Sequence, residues 1–297
     1  MKEQTEVKEK TLRKKIIKFI IFLTLIIIAT ILYSRYVGTK GIIVKEYKIK
    51  NSDLTEEYHG LKIVHFSDIH YKTTIYKKEL EEVVNKINYI KPDIVVFTGD
   101  LIDKKAINNM TDEELTKMNE ELISVLSKIN TTIGKYAIKG EQDYNYEQWD
   151  IIMDSAGFLA LNDSYDLIYN KTNFPILIGG LSSNIGNTLN ITDRIKNIEN
   201  EEHQEIYSIL LMHEPDYIKD INTNNYDLIL AGHSHNGQIV IPFIGAIHTP
   251  DGANTYYNNY YKINDTKLYI SSGLGTTKIK VRLFNHPSIN FYRLVNK

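Results

Sequence analysis

Ala231-Gly232-His233-Ser234-His235-Asn236-Gly237-Gln238 follows directly on the short apolar run Tyr226-Asp227-Leu228-Ile229-Leu230. The run reads as a buried strand bounded by turn residues. Side chains alternate in extended backbone, so two histidines at i and i+2 beyond a strand end point their imidazoles at two neighbouring points. That arrangement suits two adjacent metal ions better than one. Taken alone, the stretch is equally a glycine-rich turn with two solvated histidines, and its companions upstream decide between the readings.

Four more strand-like runs end in residues of the same chemistry. Lys62–Phe66 is followed by Asp68-Ile69-His70, and 93–98 by Gly99-Asp100-Leu101-Ile102-Asp103. Residues 135–139 lead to Gly140-Glu141-Gln142-Asp143, and 207–212 to His213-Glu214. Helical patterns fall between them. Leu80, Val83, Val84 and Ile87 recur at helical spacing within 76–90. Thr111-Asp112-Glu113-Glu114 reads as a capping box ahead of Leu115, Met118, Leu122, Val125 and Ile129. Short helices are expected at 147–156, closed by Gly157, and near 191–198, with a strand at 174–178. Strands alternating with helices give an α/β domain. The runs at 238–241, 267–270 and 288–294 make its C-terminal part richer in antiparallel strand. Loops at the carboxyl ends of strands converge on the ligand site in open α/β sheets, so the five polar stretches are expected to meet. His59, His65, His203 and His286 read as surface or core residues, and Trp149 and the tyrosines as packing. His248, beside Pro250 and Gly252, is a candidate for facing substrate because loops carry function disproportionately.

The chain has 297 residues, a formal net charge of −2 and no cysteine. A thiolate metal site, a disulfide framework and a cysteine nucleophile are thereby excluded. Ligands must come from His, Asp, Glu, Asn or Gln, which suit harder or borderline divalent ions. Nucleic-acid binding has no bulk electrostatic support and is not expected. At the N-terminus, Lys8, Lys10, Arg13, Lys14, Lys15 and Lys18 lead into an apolar run ending at Tyr33. From Ile16 that run is about eighteen residues, near the minimum for a membrane span. No A-x-A-like cleavage site follows, so an uncleaved signal anchor is expected. The basic flank stays in the cytoplasm, which makes this a single-pass cell-membrane protein with an extracytoplasmic domain. The expected divisions are a basic cytoplasmic tail (1–15), a transmembrane anchor (16–36), a tether with the first strands (37–58) and the α/β domain (59–297).

The order D-x-H, G-D-x-x-D, G-x-x-D, H-E and G-H-S-H-x-G-Q resembles the calcineurin-like metallophosphoesterase superfamily over about residues 59 to 297. The stretch from Gln238 to Pro250, with Ser272-Gly273-Leu274-Gly275-Thr276, is similar to its membrane-associated bacterial branch. The resemblance implies a four-layer α/β/β/α sandwich and two divalent metal ions, Mn, Zn or Fe. It places Asp68, His70 and His235 on one metal, Asp100 between the two, and Glu141, His213 and His233 on the second. Asp103 would lie just outside the ligands. Physics agrees with a shared carboxylate: two cations about 3.5–4 Å apart repel, and together they acidify a bridging water. The implied reaction is hydrolysis of a phosphodiester or pyrophosphate, possible substrates including a lipid-linked or envelope molecule, by metal-activated hydroxide. Asp100, Gln142 and Asp103 are its catalytic candidates.

One stretch departs from the family, which usually has Gly-Asn-His-Asp or Gly-Asn-His-Glu where this chain has Gly140-Glu141-Gln142-Asp143. Glu141 puts a carboxylate in place of a neutral amide. With Asp68 and Asp100 it makes three anionic ligands against four positive charges. Gln142 stands where a histidine is often assigned to protonating the leaving group. Glutamine donates a hydrogen bond but delivers no proton, and losing a general acid costs about 10²–10⁴-fold. The same pair motivates the rival expectation of a catalytically impaired, metal-binding envelope scaffold or binding module.

Overall fold

The computed structural model describes residues 2–52, 54–199 and 206–296; His203 lies outside them. A single continuous helix, α1 (Lys2–Tyr36), opens the chain, and its apolar side chains from Ile16 to Leu32 are exposed. β1 (Ile43–Asn51), β2 (Lys62–Phe66) and helix α2 (Lys77–Ile90) follow. Lys91 ends α2 in a left-handed conformation ahead of Pro92, which cannot continue a helix. Next come β3 (Ile94–Phe97), α3 (Lys104–Ile107), α4 (Asp112–Leu126) and β4 (Gly134–Ala137). The capping box at Thr111 forms: its hydroxyl accepts the Glu114 N–H at 3.3 Å and Glu114 Oε2 accepts the Thr111 N–H at 2.8 Å. The chain continues through α5 (Gln148–Ser155), β5 (Leu159–Ala160), β6 (Ser164–Ile168), β7 (Ile176–Leu181), α6 (Ile191–Ile195), β8 (Ser208–Met212) and β9 (Leu228–Ala231). It finishes with β10 (Val240–Ile241), β11 (Gly245–Ala246), β12 (Tyr260–Ile263), β13 (Thr266–Ile270) and β14 (Ser288–Asn296).

Two six-stranded sheets result, ordered β1-β14-β2-β3-β4-β5 and β12-β13-β9-β8-β7-β6. Their central strands run parallel, with β14 antiparallel to β2 and the hairpins β12–β13 and β6–β7 at the edges of the second sheet. Period-two alternation sorts the side chains between layers. Ile94 and Val96 face the second sheet, together with Ile178, Leu211 and Leu230, while Val95 and Phe97 face α2, α4 and α5. Leu210, Met212 and Ile229 pack outward under α6. The architecture is therefore the four-layer α/β/β/α sandwich, preceded by one long apolar helix.

The stretch read as a tether with first strands supplies β1, which pairs parallel with the last strand over nine residues. It makes no pair with the strand that follows it in sequence, a partner that local pattern does not reveal. The run at 238–241 contributes only the two residues of β10, in a small hairpin with β11. β6 and β12 carry only weak alternation, so local pattern gives no strand signal for them.

His65 is a core residue. Its Nε2 lies 2.8 Å from Thr98 Oγ1 and its ring stacks on Tyr292. Burial pushes its pKa down to about 3. The unfolded chain takes up this proton near its ordinary value of about 6.5. Between those limits the unfolded state holds more protons, so the stability contribution is present above pH 6.5 and lost as pH falls toward 3, by about 1.4 kcal/mol per unit. Urea melts of wild type and His65→Gln between pH 7 and 4 are expected to show the shallower pH dependence in the variant. Equal slopes would assign the acid sensitivity to other groups.

Candidate metal centre

β2, β3 and β4 of one sheet and β8 and β9 of the other end at the same edge of the sandwich, and the polar stretches meet there. The backbone turns left-handed in three of these stretches. Asp68 (φ 53°), His70 (φ 41°), Asp100 (φ 60°), His233 (φ 63°) and His235 (φ 49°) are all left-handed. Such conformations are uncommon for residues with a Cβ and persist where surrounding bonds fix them. The backbone N–H groups of Asp68 and His70 donate to the carbonyls of Gly99 and Asp100 at 2.9 and 3.0 Å. Asp68 accepts the His233 N–H at 3.0 and 3.1 Å. Simple strand alternation is thus not what separates His233 from His235: two left-handed residues on either side of Ser234 (φ −69°) do so.

The side chains form two groups, Asp68, His70 and His235 in one and Asp100, Glu141, His213 and His233 in the other, the potential ligand atoms of each lying within 4.8 Å of one another. Asp100 faces both, with Oδ2 3.5 Å from His70 Nε2 and Oδ1 3.5 Å from His213 Nε2. Glu141 Oε2 lies 2.6 Å from His213 Nε2 and 3.1 Å from His233 Nδ1. The opposite ring nitrogens are occupied: His213 Nδ1 donates to the Thr98 carbonyl at 2.5 Å, and His233 Nε2 to the Asp251 carbonyl at 2.7 Å. Such bonds fix which nitrogen is turned to the centre.

Donor chemistry here fits cations. His70 Nε2 and His235 Nε2 face each other at 3.1 Å, and the buried Asp100 Oδ2 has no hydrogen-bond partner among the described residues. Buried acceptors that converge without a donor are costly unless a positive charge sits among them. The titration pattern has the same origin. Burial opposes a charge on His233, but Glu141 wins and lifts it to about 9. His213 also rises well above its usual value, against burial, through Asp100 and Glu141. Burial would raise Glu141, yet His233 and His213 hold it well below the carboxylate range. His70 and His235 are lowered, chiefly by burial.

All seven expected ligands are therefore brought together; the other two candidates belong to neither group, although the Gln142 amide donates to Glu141 Oε1 at 3.5 Å. The Gln142 side chain lies on the wall of the adjoining pocket; its backbone N–H donates to Asp100 Oδ1 at 2.9 Å. Asp103 belongs to neither group: its carboxylate caps α3, accepting the Ala106 N–H at 2.9 Å. Sequence reasoning gave no role to Asp143, whose buried carboxylate accepts the N–H groups of Asp100, Leu101 and Gly140 at 2.8, 2.9 and 3.0 Å. Its place in the G-x-x-D motif was the available signal. Arg282, fully buried and 3.2 Å from His235 Nδ1, comes from a C-terminal loop with no such signal. A pocket of about 340 Å³ opens beside the two groups, and His248 lines it, paired with Lys278 at 2.8 Å.

Residues 61–237, more than half of the chain, match the family described as calcineurin-like phosphoesterase. The chain belongs to that family. It is 31% identical over 265 residues to the uncharacterized metallophosphoesterase YkuE of Bacillus subtilis (strain 168), covering 88% of each protein. The uncharacterized metallophosphoesterase YkoQ of the same organism is 27% identical, over 92% of this chain and 97% of its own length. A Danio rerio relative called transmembrane protein with metallophosphoesterase domain is 26% identical, over 83% of this chain and 56% of its own length. The chain is a metal-dependent phosphoesterase of a YkuE-like branch, and its two residue groups can hold a pair of divalent cations.

Because each histidine of the i, i+2 pair joins a different group, His233→Ala and His235→Ala are each expected to lower the Mn content of the purified full chain from two ions to about one. Elemental analysis with a circular-dichroism check of folding reads this. Two ions retained by both variants would contradict the division of ligands.

Proposed function

We propose that this phosphoesterase is held in the cell membrane by α1, works outside the cytoplasm, and hydrolyses a phosphodiester or pyrophosphate with two divalent cations. Asp68, His70 and His235 hold the first cation, and Glu141, His213 and His233 the second. The observation that carries this reading is Asp100, whose two oxygens face one group each. Bound there, the cations supply Lewis acidity: they lower the pKa of water and offset charge on the phosphoryl oxygens. The chain does the rest. Asp143 fixes the loop that presents Asp100, and Gln142, on the pocket wall with its amide donating to Glu141 Oε1, is placed to turn an N–H toward a leaving oxygen. Lys278, on the pocket wall, attracts an anionic substrate.

α1 contains one helical stretch, Lys8–Tyr36, long and apolar enough to cross a membrane. Lys8, Lys10, Arg13, Lys14, Lys15 and Lys18 favour a cytoplasmic N-terminus. The Danio rerio relative is called a transmembrane protein, which supports a place in the membrane. A second reading, a non-catalytic metal-binding envelope module, draws on Glu141, which spends its carboxylate on both His213 and His233. Turnover of bis-p-nitrophenyl phosphate by the two-metal form supports the enzyme; full metal content without turnover supports the module.

Without a proton donor at position 142, alkoxide leaving groups suffer more than phenolates. Gln142→His is therefore expected to raise kcat on simple alkyl phosphodiesters by about 10²-fold, within the range general acids contribute, and on p-nitrophenyl esters far less. The charge of Glu141 acts on both substrates alike, so the ratio isolates proton transfer. Equal gains with metal content intact would contradict a missing acid at this position.

A further inference from the structure

The pocket beside the metal centre has a polar floor and an apolar wall. His70, Glu141, His233 and His235 line one side, and Ile239, Ile247, Pro250 and Ile279 line the other. The metals and the phosphoryl group need only the floor. An isoleucine wall in the same pocket calls for an apolar substituent, because about 0.8 kcal/mol accompanies each CH₂ taken out of water.

The wall continues onto an exposed apolar surface. Beyond β10 the hairpin tip carries Phe243 and Ile244, 109% and 74% exposed, and Ile247, Ile279 and Phe284 are 56%, 54% and 64% exposed. Large contiguous apolar exposure marks a contact surface. Its position in the fold says what it contacts. The segment bearing Ile279 and Phe284 is bonded to the end of α1: Arg282 N–H donates to the Ser34 carbonyl at 2.9 Å, and Arg35 Nη1 to the Lys280 carbonyl at 3.2 Å. That segment also holds the hairpin, through Val240 N–H to the Leu283 carbonyl at 3.0 Å and Leu283 N–H to the Gln238 carbonyl at 3.2 Å. Gln238 locks the same region from inside, donating to the Ile279 carbonyl at 2.9 Å and accepting the Thr277 N–H at 3.0 Å. The pocket wall, the hairpin tip and the last turn of the apolar helix are thus one bonded unit. If α1 spans the bilayer, Arg35 and Tyr36 mark its outer boundary, and the tip lies at headgroup depth. Lys278, Lys280 and Arg35 are placed to meet lipid phosphates there.

We propose that Phe243 and Ile244 dip into the outer face of the membrane that α1 crosses, and that Ile239, Ile247 and Ile279 receive the apolar part of an amphiphilic phosphoester drawn from it. This rests on the phosphoesterase reading above and names its substrate class: a phosphoester carrying an acyl, alkyl or prenyl chain. Lys278 and His248 stand at the wall where its anionic group passes toward the metals.

The single native tryptophan, Trp149, is fully buried, so it is silent to a quencher in lipid. Full-length Phe243→Trp is placed in phosphatidylcholine–phosphatidylglycerol nanodiscs with or without brominated acyl chains. Phe174→Trp is the control, since Phe174 is 68% exposed and precedes the start of β7, at the end of the sandwich away from the site. Bromolipid is expected to quench Phe243→Trp several-fold more than Phe174→Trp; equal quenching, or none, would overturn the membrane contact. In the same nanodiscs, metal-loaded enzyme is given p-nitrophenyl methyl phosphate and p-nitrophenyl hexadecyl phosphate, which share a leaving group. The expected preference in kcat/KM for the hexadecyl ester is about tenfold or more, reduced severalfold in the Ile247→Ser, Ile279→Ser double variant. Partitioning into lipid is the same for both proteins, so a preference that survives in the variant would overturn the apolar wall as a chain site. Turnover of neither ester would count against the phosphoesterase reading, and the bromolipid comparison still decides the membrane contact on its own.

Discussion

Asp100 is buried with one oxygen toward His70 and the other toward His213, and much of the surrounding backbone exists to keep it there. Asp143 receives the N–H groups of Asp100 and Leu101 and of Gly140 in the neighbouring loop. Hydrogen bonds to a charged group contribute about 1.5–3 kcal/mol each, so this one carboxylate ties two strand ends together. Gly140 is glycine because a Cβ there would overlap Asp100 Oδ1. Gly232 is glycine for a similar reason, facing Ser67 Oγ across the other sheet. The left-handed conformations of Asp68, His70, Asp100, His233 and His235 are part of the same device.

Much of this was legible in the sequence because the chemistry is concentrated at strand ends. The runs before Asp68, Asp100, Glu141 and His213 are short and apolar, and each proved to be a strand with its polar residues just beyond the carboxyl end. Other features depend on partners distant in sequence. β1 finds β14 from more than two hundred residues away, and Arg282 reaches His235 from a loop whose local pattern says nothing. The His233-Ser234-His235 turn separates its two imidazoles by a left-handed backbone, which side-chain periodicity cannot see. Asp103, singled out by motif spacing, uses its carboxylate to cap α3 and stands outside both ligand groups.

Glu141 and Gln142 stand where the family resemblance leads one to expect Asn-His, and the structure gives each a physical setting. Glu141 is gripped between His213 and His233, a third carboxylate at a centre whose positive charge would otherwise go to the substrate. Gln142 contributes its backbone N–H to Asp100 while its side chain faces the pocket. On the proposed reading, a centre with these two residues would favour substrates whose leaving oxygen needs little help. The proposed role of the apolar wall and the docked end of α1 would bias the choice of substrate from another direction, through access rather than reactivity.

The central claim is that Asp100 is shared by two cations held close together. Electron paramagnetic resonance of the full chain loaded with Mn(II) tests it most directly, because adjacent Mn(II) ions joined by a carboxylate are exchange-coupled. Two Mn per chain and a coupled spectrum that collapses to an isolated-ion signal in Asp100→Ala are expected. Two ions with uncoupled six-line signals in the wild type, or a single ion at saturation, would contradict it.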